Sequence, residues 1–157
     1  MPLLYLIRHG IAHDRGRDGT DFTRELTDEG RDKMRRQARA LKRAGLTPAH
    51  LVTSPLDRAR QTAELLADVW GVRVSHESAL GLGASPTAYL DAFAAHEGRV
   101  ACVGHNPDIS YAVHALTGAR VQMRKGMVAA VKLAGKNARE GQLVGLYDPD
   151  ALADWGG

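Results

Sequence analysis

Leu4-Tyr5-Leu6-Ile7-Arg8-His9-Gly10 is the stretch from which the fold is read. Four apolar residues in a row, with β-branched Ile7 among them, predict a short buried strand. Arg8 and His9 follow at once, and Gly10 ends the run. In open α/β sheets ligands bind at the carboxyl edge of the strands, so a guanidinium and an imidazole at that edge stand where chemistry occurs. Gly10 lets the backbone turn sharply and approach a ligand closely. An Arg-His-Gly tripeptide alone has little specificity. Its weight comes from the strand before it and from what recurs downstream.

Working outward, strands alternate with helices. A polar loop, residues 11–26, follows the first strand and is expected to border the pocket mouth. Within it His13 and Asp14 read as solvated. Thr27 caps a helix whose apolar positions are Met34, Ala38 and Leu41, stopped by Gly45. Leu51-Val52-Thr53 is a second strand. Ser54 then reads as a helix cap, with Pro55 at the first helical position. Leu56, Ala59, Ala63, Leu66 and Trp70 form one apolar stripe ended by Gly71. Residues 72–74 read as a third strand, and 77–84 as a loop. Ser85-Pro86 opens a helix to about His96. Residues 100–103 form a strand that delivers Gly104-His105-Asn106-Pro107, and a helix follows over 108–116. Residues 127–133 and 142–147 read as two more strands, and 151–157 as a loose tail. This alternation predicts an α/β three-layer sandwich, a largely parallel central sheet flanked by helices, in a single domain over 1–157.

Composition narrows the classes. The 157 residues carry a formal charge of +3, and no basic segment is interleaved with aromatics, so nucleic acid is not the expected partner. No apolar run approaches the ~20 residues of a membrane span, and no basic segment precedes the first apolar run as in a signal peptide. Cys102 is the only cysteine, which fits a reducing, cytoplasmic setting. It lies within an apolar strand and reads as a small buried hydrophobe rather than a nucleophile. The helix over 28–44 carries Arg31, Lys33, Arg35, Arg36, Arg39, Lys42 and Arg43, read as a solvated face, with docking of an acidic partner as the alternative.

Three strand ends carry reactive residues: Arg8 and His9, then Ser54 with Arg58 one turn on, then His105. If the strands are neighbours with a common direction, two imidazoles and two guanidinium groups converge. Arginine matches phosphate oxygens with a planar, permanent cation. A neutral histidine attacks phosphorus, and a second, protonated one donates to an oxygen. These cations replace a metal, so no cofactor is expected. A metal site built from His9, His13, Asp14 and His105 is the alternative, and Arg8 would oppose a cation there. His50, His76, His96 and His114 read as surface or structural, and Arg60 as solvated.

Three segments resemble the histidine phosphatase superfamily, whose fold is phosphoglycerate-mutase-like, and its SixA-type branch of phosphohistidine phosphatases. They are residues 6–12 (LIRHGIA), 54–63 (SPLDRARQTA) and 103–107 (VGHNP), with Leu26-Thr27-Asp28-Glu29-Gly30 alike as well. The resemblance implies that His9 is the nucleophile and carries a phosphoryl group. It implies that Arg8, Arg58 and His105 form the phosphate pocket, with Asn106 and Ser54 as supports. One departure matters. Many relatives acting on esters hold a Glu or Asp general acid between the second helix and the later histidine. Here residues 78–83 read SALGLG, and Glu77 is the nearest carboxylate. An imidazole leaves more easily than an alkoxide, so the missing acid favours phosphohistidine of a signalling or phosphotransfer protein. The alternatives are a small phosphomonoester such as a sugar phosphate, with Glu77 as acid, and a non-catalytic phosphate-binding module.

Overall fold

The first strand, β1 (Leu3–Arg8), is interior to the sheet, which explains its unbroken apolar run. In a computed structural model, which describes residues 2–153, six strands lie in the order β3-β2-β4-β1-β5-β6. The other strands are β2 (His50–Thr53), β3 (Arg73–His76), β4 (Val100–Gly104), β5 (Val128–Leu133) and β6 (Gly141–Tyr147). The first four run parallel to one another; β5 and β6 are antiparallel additions beside β1. The fold is the expected α/β sandwich.

Alternation along β1 feeds two cores, because successive side chains of a strand point to opposite faces. Leu4 and Leu6 pack with Tyr89 and Phe93 of α3 (Pro86–Ala94) and with Ile109 and Val113 of α4 (Asp108–Thr117). Tyr5 and Ile7 pack with Met34, Ala38 and Leu41 of α1 (Asp28–Arg43) and with Ala59, Ala63 and Leu66 of α2 (Asp57–Trp70). Cys102 is fully buried in the first of these cores, and burial pushes its thiol up to about 12, so it is inert as read.

Capping bears out some boundaries and moves others. Thr27 Oγ1 accepts from Gly30 N at 3.0 Å, as expected for the cap of α1. Ser54 does not cap α2. Its hydroxyl accepts from Leu56 N at 3.2 Å in a turn ahead of the helix, so Pro55 lies outside and Leu56 takes the cap position. β3 begins at Arg73 rather than 72, in parallel register with β2. The stretch read as a loose tail begins instead as α5 (Pro149–Ala153), tied to α1 by Asp150 and Lys33 at 2.8 Å; residues 154–157 of it lie outside the described residues. Among the described residues no helix is long and apolar enough to cross a membrane.

The parallel register places three strand ends at one level: Arg8 pairs with Gly104, and Thr53 with Val103. Gly104 is packed without slack. A Cβ there would sit 2.1 Å from the hydroxyl oxygen of fully buried Tyr89. Gly104→Ala is therefore expected to destabilise the fold by about 1–3 kcal/mol, read as a lower denaturation midpoint.

Candidate active site

His9 follows β1 and is held on both sides. Its backbone N–H donates to Gly104 O at 3.2 Å. Its Nδ1 lies 2.7 Å from Gly10 O; a carbonyl only accepts, so Nδ1 carries the proton. That leaves a lone pair on Nε2, and Arg58 Nε donates to it at 3.3 Å. His9 is 5% exposed, and burial first, with His105, Arg58 and Arg8 adding, lowers its pKa to about 3 against the Gly10 bond. His9 is thus a neutral imidazole with its reactive nitrogen defined.

His105 follows β4, its ring centroid 5.3 Å from that of His9. Its Nε2 is 2.7 Å from Ser54 Oγ. Ser54 therefore joins the site, in place of the capping role read from sequence. Burial, then Arg58, lowers the His105 pKa to about 4 against Asp21. The second imidazole is neutral too, which corrects the expectation of a protonated donor in the free protein.

Arg58 is buried and Arg8 half-buried beside the histidines, and both cations oppose protonation of the two imidazoles. Arg8 Nη1 donates to Met123 O at 3.0 Å, while its Nε is buried without a protein partner, as is His105 Nδ1. Such groups cost about 1–3 kcal/mol each when left unmet, and an accepting anion would remove that cost. Arg58, in the first turn of α2, uses all three nitrogens. Nε meets His9, Nη1 donates to Asp21 O at 2.9 Å, and Nη2 donates to Asp21 Oδ2 at 3.1 Å.

Asp21 is a site residue that the sequence reading missed. Hydrogen bonding from Arg24, then the nearby Arg58, holds its carboxyl below the usual range, so it is an anion. Asn106 acts at one remove. Ser110 Oγ donates to Asn106 Oδ1 at 2.6 Å and accepts from Met123 N at 2.9 Å, and the Met123 carbonyl is the one that orients Arg8. Two further residues were missed. Thr62 Oγ1 accepts from Gly10 N at 3.0 Å, and Gln61 Oε1 from Leu26 N at 2.8 Å, fastening the loop of residues 11–26 to α2. The available signal was polar residues at 58, 61 and 62, one helix face within an apolar stripe.

Glu77 is not brought to this cluster. Its carboxylate accepts from Ala79 N at 3.1 Å, and it lines a separate groove with His76, Asp91 and His96. His13 and Asp14 are exposed. Among the described residues no three His, Cys, Asp or Glu side chains gather as metal ligands would.

Comparison with known proteins fits this geometry. Residues 4–81 match the family model of the histidine phosphatase superfamily (branch 1). An uncharacterized protein of Picosynechococcus is 33% identical over 141 residues, spanning 82% of this chain and 84% of that one. The chain belongs to the histidine phosphatase superfamily. Within the superfamily the fold is close to the protein histidine phosphatase SixA solved with tungstate. That match has a TM-score of 0.86 at 23% identity, covering 96% of this chain and 99% of that one. The phosphoserine phosphatase of Entamoeba histolytica, solved with 3-phosphoglyceric acid, has a TM-score of 0.70 at 18% identity, covering 94% and 98%. Superfamily membership makes the chain a phosphatase in the coarse sense, and the folds it matches serve more than one substrate.

The neutral histidines have a consequence for stability. Their folded values of about 3 and about 4 lie below the ordinary 6.5, so between those limits the unfolded chain binds protons that the native state refuses. Stability is complete above pH 6.5 and is lost as pH falls. From pH 7 to pH 5 each imidazole is expected to remove about 2 kcal/mol, measurable as a drop in urea midpoint.

Proposed function

We propose that the protein removes phosphoryl groups from phosphohistidine, carried by a cytoplasmic signalling or phosphotransfer protein, as one domain over residues 1–157. His9 Nε2 attacks phosphorus, and the P–N bond to the substrate imidazole breaks as that ring, already protonated on its other nitrogen, leaves as neutral imidazole. Water then attacks phospho-His9, its proton passes to solvent, orthophosphate departs, and His9 is restored. Arg8, Arg58 and His105 hold the phosphoryl oxygens, with the guanidinium charges doing the work of a cation. Ser54 positions His105, and Asn106 positions Arg8 through Ser110 and Met123.

The observation that carries the P–N reading is the state of Asp21. It is the carboxylate seated at the pocket, and it is held ionised by two arginines, so it has no proton to give an alkoxide. An imidazole leaving group does not need one. The test is a parallel assay of free phosphohistidine, phosphoserine and a sugar phosphate, with and without chelator. The expected result is a large preference for phosphohistidine that EDTA leaves unchanged. A preference for the esters overturns the substrate, and loss of activity restored by zinc overturns the metal-independent mechanism. A brief pulse with labelled substrate separates an enzyme from a binding module, since only the enzyme gives acid-labile label on His9.

A further inference from the structure

Five large apolar side chains are conspicuously exposed among the described residues: Phe22, Leu82, Tyr111, Val144 and Leu146. Val144 and Leu146 lie on β6, the edge strand remote from the site. The other three are anchored around the pocket. Phe22 follows Asp21, which holds Arg58, and its carbonyl accepts from Asp57 N. Leu82 precedes Gly83, whose N–H donates to Asp108 Oδ2 at 2.8 Å, three residues after His105. Tyr111, 64% exposed, stands one turn along α4, its N–H on Pro107 O.

At Asn106 and Pro107, which follow His105 in the chain, a groove of about 600 Å³ opens, its walls including Tyr111, His114, Arg120 and Val121. That volume exceeds any need of a phosphoryl group and suits the substrate around it. Asn106, Ser110 and Gln122 add neutral polar groups to the lining, but most of its exposed surface is apolar, Pro107, Tyr111 and Val121 among its residues, which suits a peptide better than a sugar. The groove's ionisable lining is Arg120 and His114, with no carboxylate among the described residues. Exposed tyrosine and arginine beside apolar surface are what protein interfaces use as anchors.

We propose that this groove, with Phe22, Leu82 and Tyr111 around the pocket, is the docking surface for the protein bearing the phosphohistidine. The partner meets it with apolar residues flanked by carboxylates. The inference rests on the phosphohistidine reading above and adds what surrounds the phosphorylated residue.

Three probes test it: free phosphohistidine, a phosphohistidine peptide flanked by Leu, Phe and Glu, and one flanked by Ser, Gly and Lys. The apolar-acidic peptide is expected to exceed the polar-basic one about tenfold in kcat/KM. Tyr111→Ser and Arg120→Glu are each expected to shrink that ratio at least about threefold while turnover of free phosphohistidine holds. Both positions are exposed, and an unchanged melting temperature verifies folding. Equal kcat/KM for the two peptides, or a ratio that survives both variants, overturns the docking surface alone. Turnover of phosphoserine with none of the three phosphohistidine probes overturns the substrate reading and the docking surface with it.

Discussion

His9→Ala is expected to abolish turnover, lowering kcat on the order of 10⁴-fold or more, because the variant has no atom on which to carry the phosphoryl group. The loss belongs to kcat. Arg8, Arg58 and His105 remain to bind phosphate, so KM is expected to move far less. The His9 ring is defined by two partners, Gly10 O on Nδ1 and Arg58 Nε on Nε2, whereas the neighbouring His105 ring is engaged by Ser54. His13, four residues on, is exposed. Rapid-quench measurement with labelled substrate checks the result: wild type gives acid-labile label, and the variant gives none. Label retained in the variant would assign the nucleophile elsewhere.

Arg58→Ala is expected to slow turnover about 10²–10³-fold, the loss seen when one transition-state donor is removed. Arg58 combines functions that no shorter or rounder cation reproduces. It touches the reacting nitrogen, and it holds the Asp21 loop by a backbone carbonyl and a carboxylate. Arg58→Lys is therefore expected to recover only a small part of the rate, since an ammonium lacks the planar fork. Steady-state kinetics on both variants decide this. Lysine restoring most of the rate would reduce Arg58 to a point charge.

Much of this arrangement was legible in the chain. The Leu4–Ile7 run declared an interior strand, and glycines 71 and 118 marked helix ends, where they take positive φ. The polar residues after β1, β2 and β4 declared a shared edge because parallel strands end together. The failures have a common cause. Ser54 before Pro55 has every local attribute of a cap, so that only the family resemblance pointed to the pocket, and its partner, His105, is fixed by the pairing of β2 with β4. Asp21 lies in a loop without periodicity, and its value depends on α2 folding back against that loop. Ser110 and Met123 look like ordinary helix and loop residues until their hydrogen bonds to Asn106 and Arg8 are seen. The short helix after Pro149 forms where α1 offers Lys33 to Asp150. Periodicity reports which face a residue occupies within its own element; it says nothing of which distant element arrives opposite.

The carboxylate of Asp21 also sets how the pocket sorts ions by valence. Of the pocket's two guanidinium groups, that of Arg58 already holds a resident anion, which Arg24 pairs with from outside, and both imidazoles are uncharged. Chloride or acetate entering there trades one negative charge for another and gains little. A phosphoryl dianion brings twice the charge of either and is expected to compete better for the Arg58 guanidinium. The pocket is thus expected to favour a doubly charged group over the common monovalent salts.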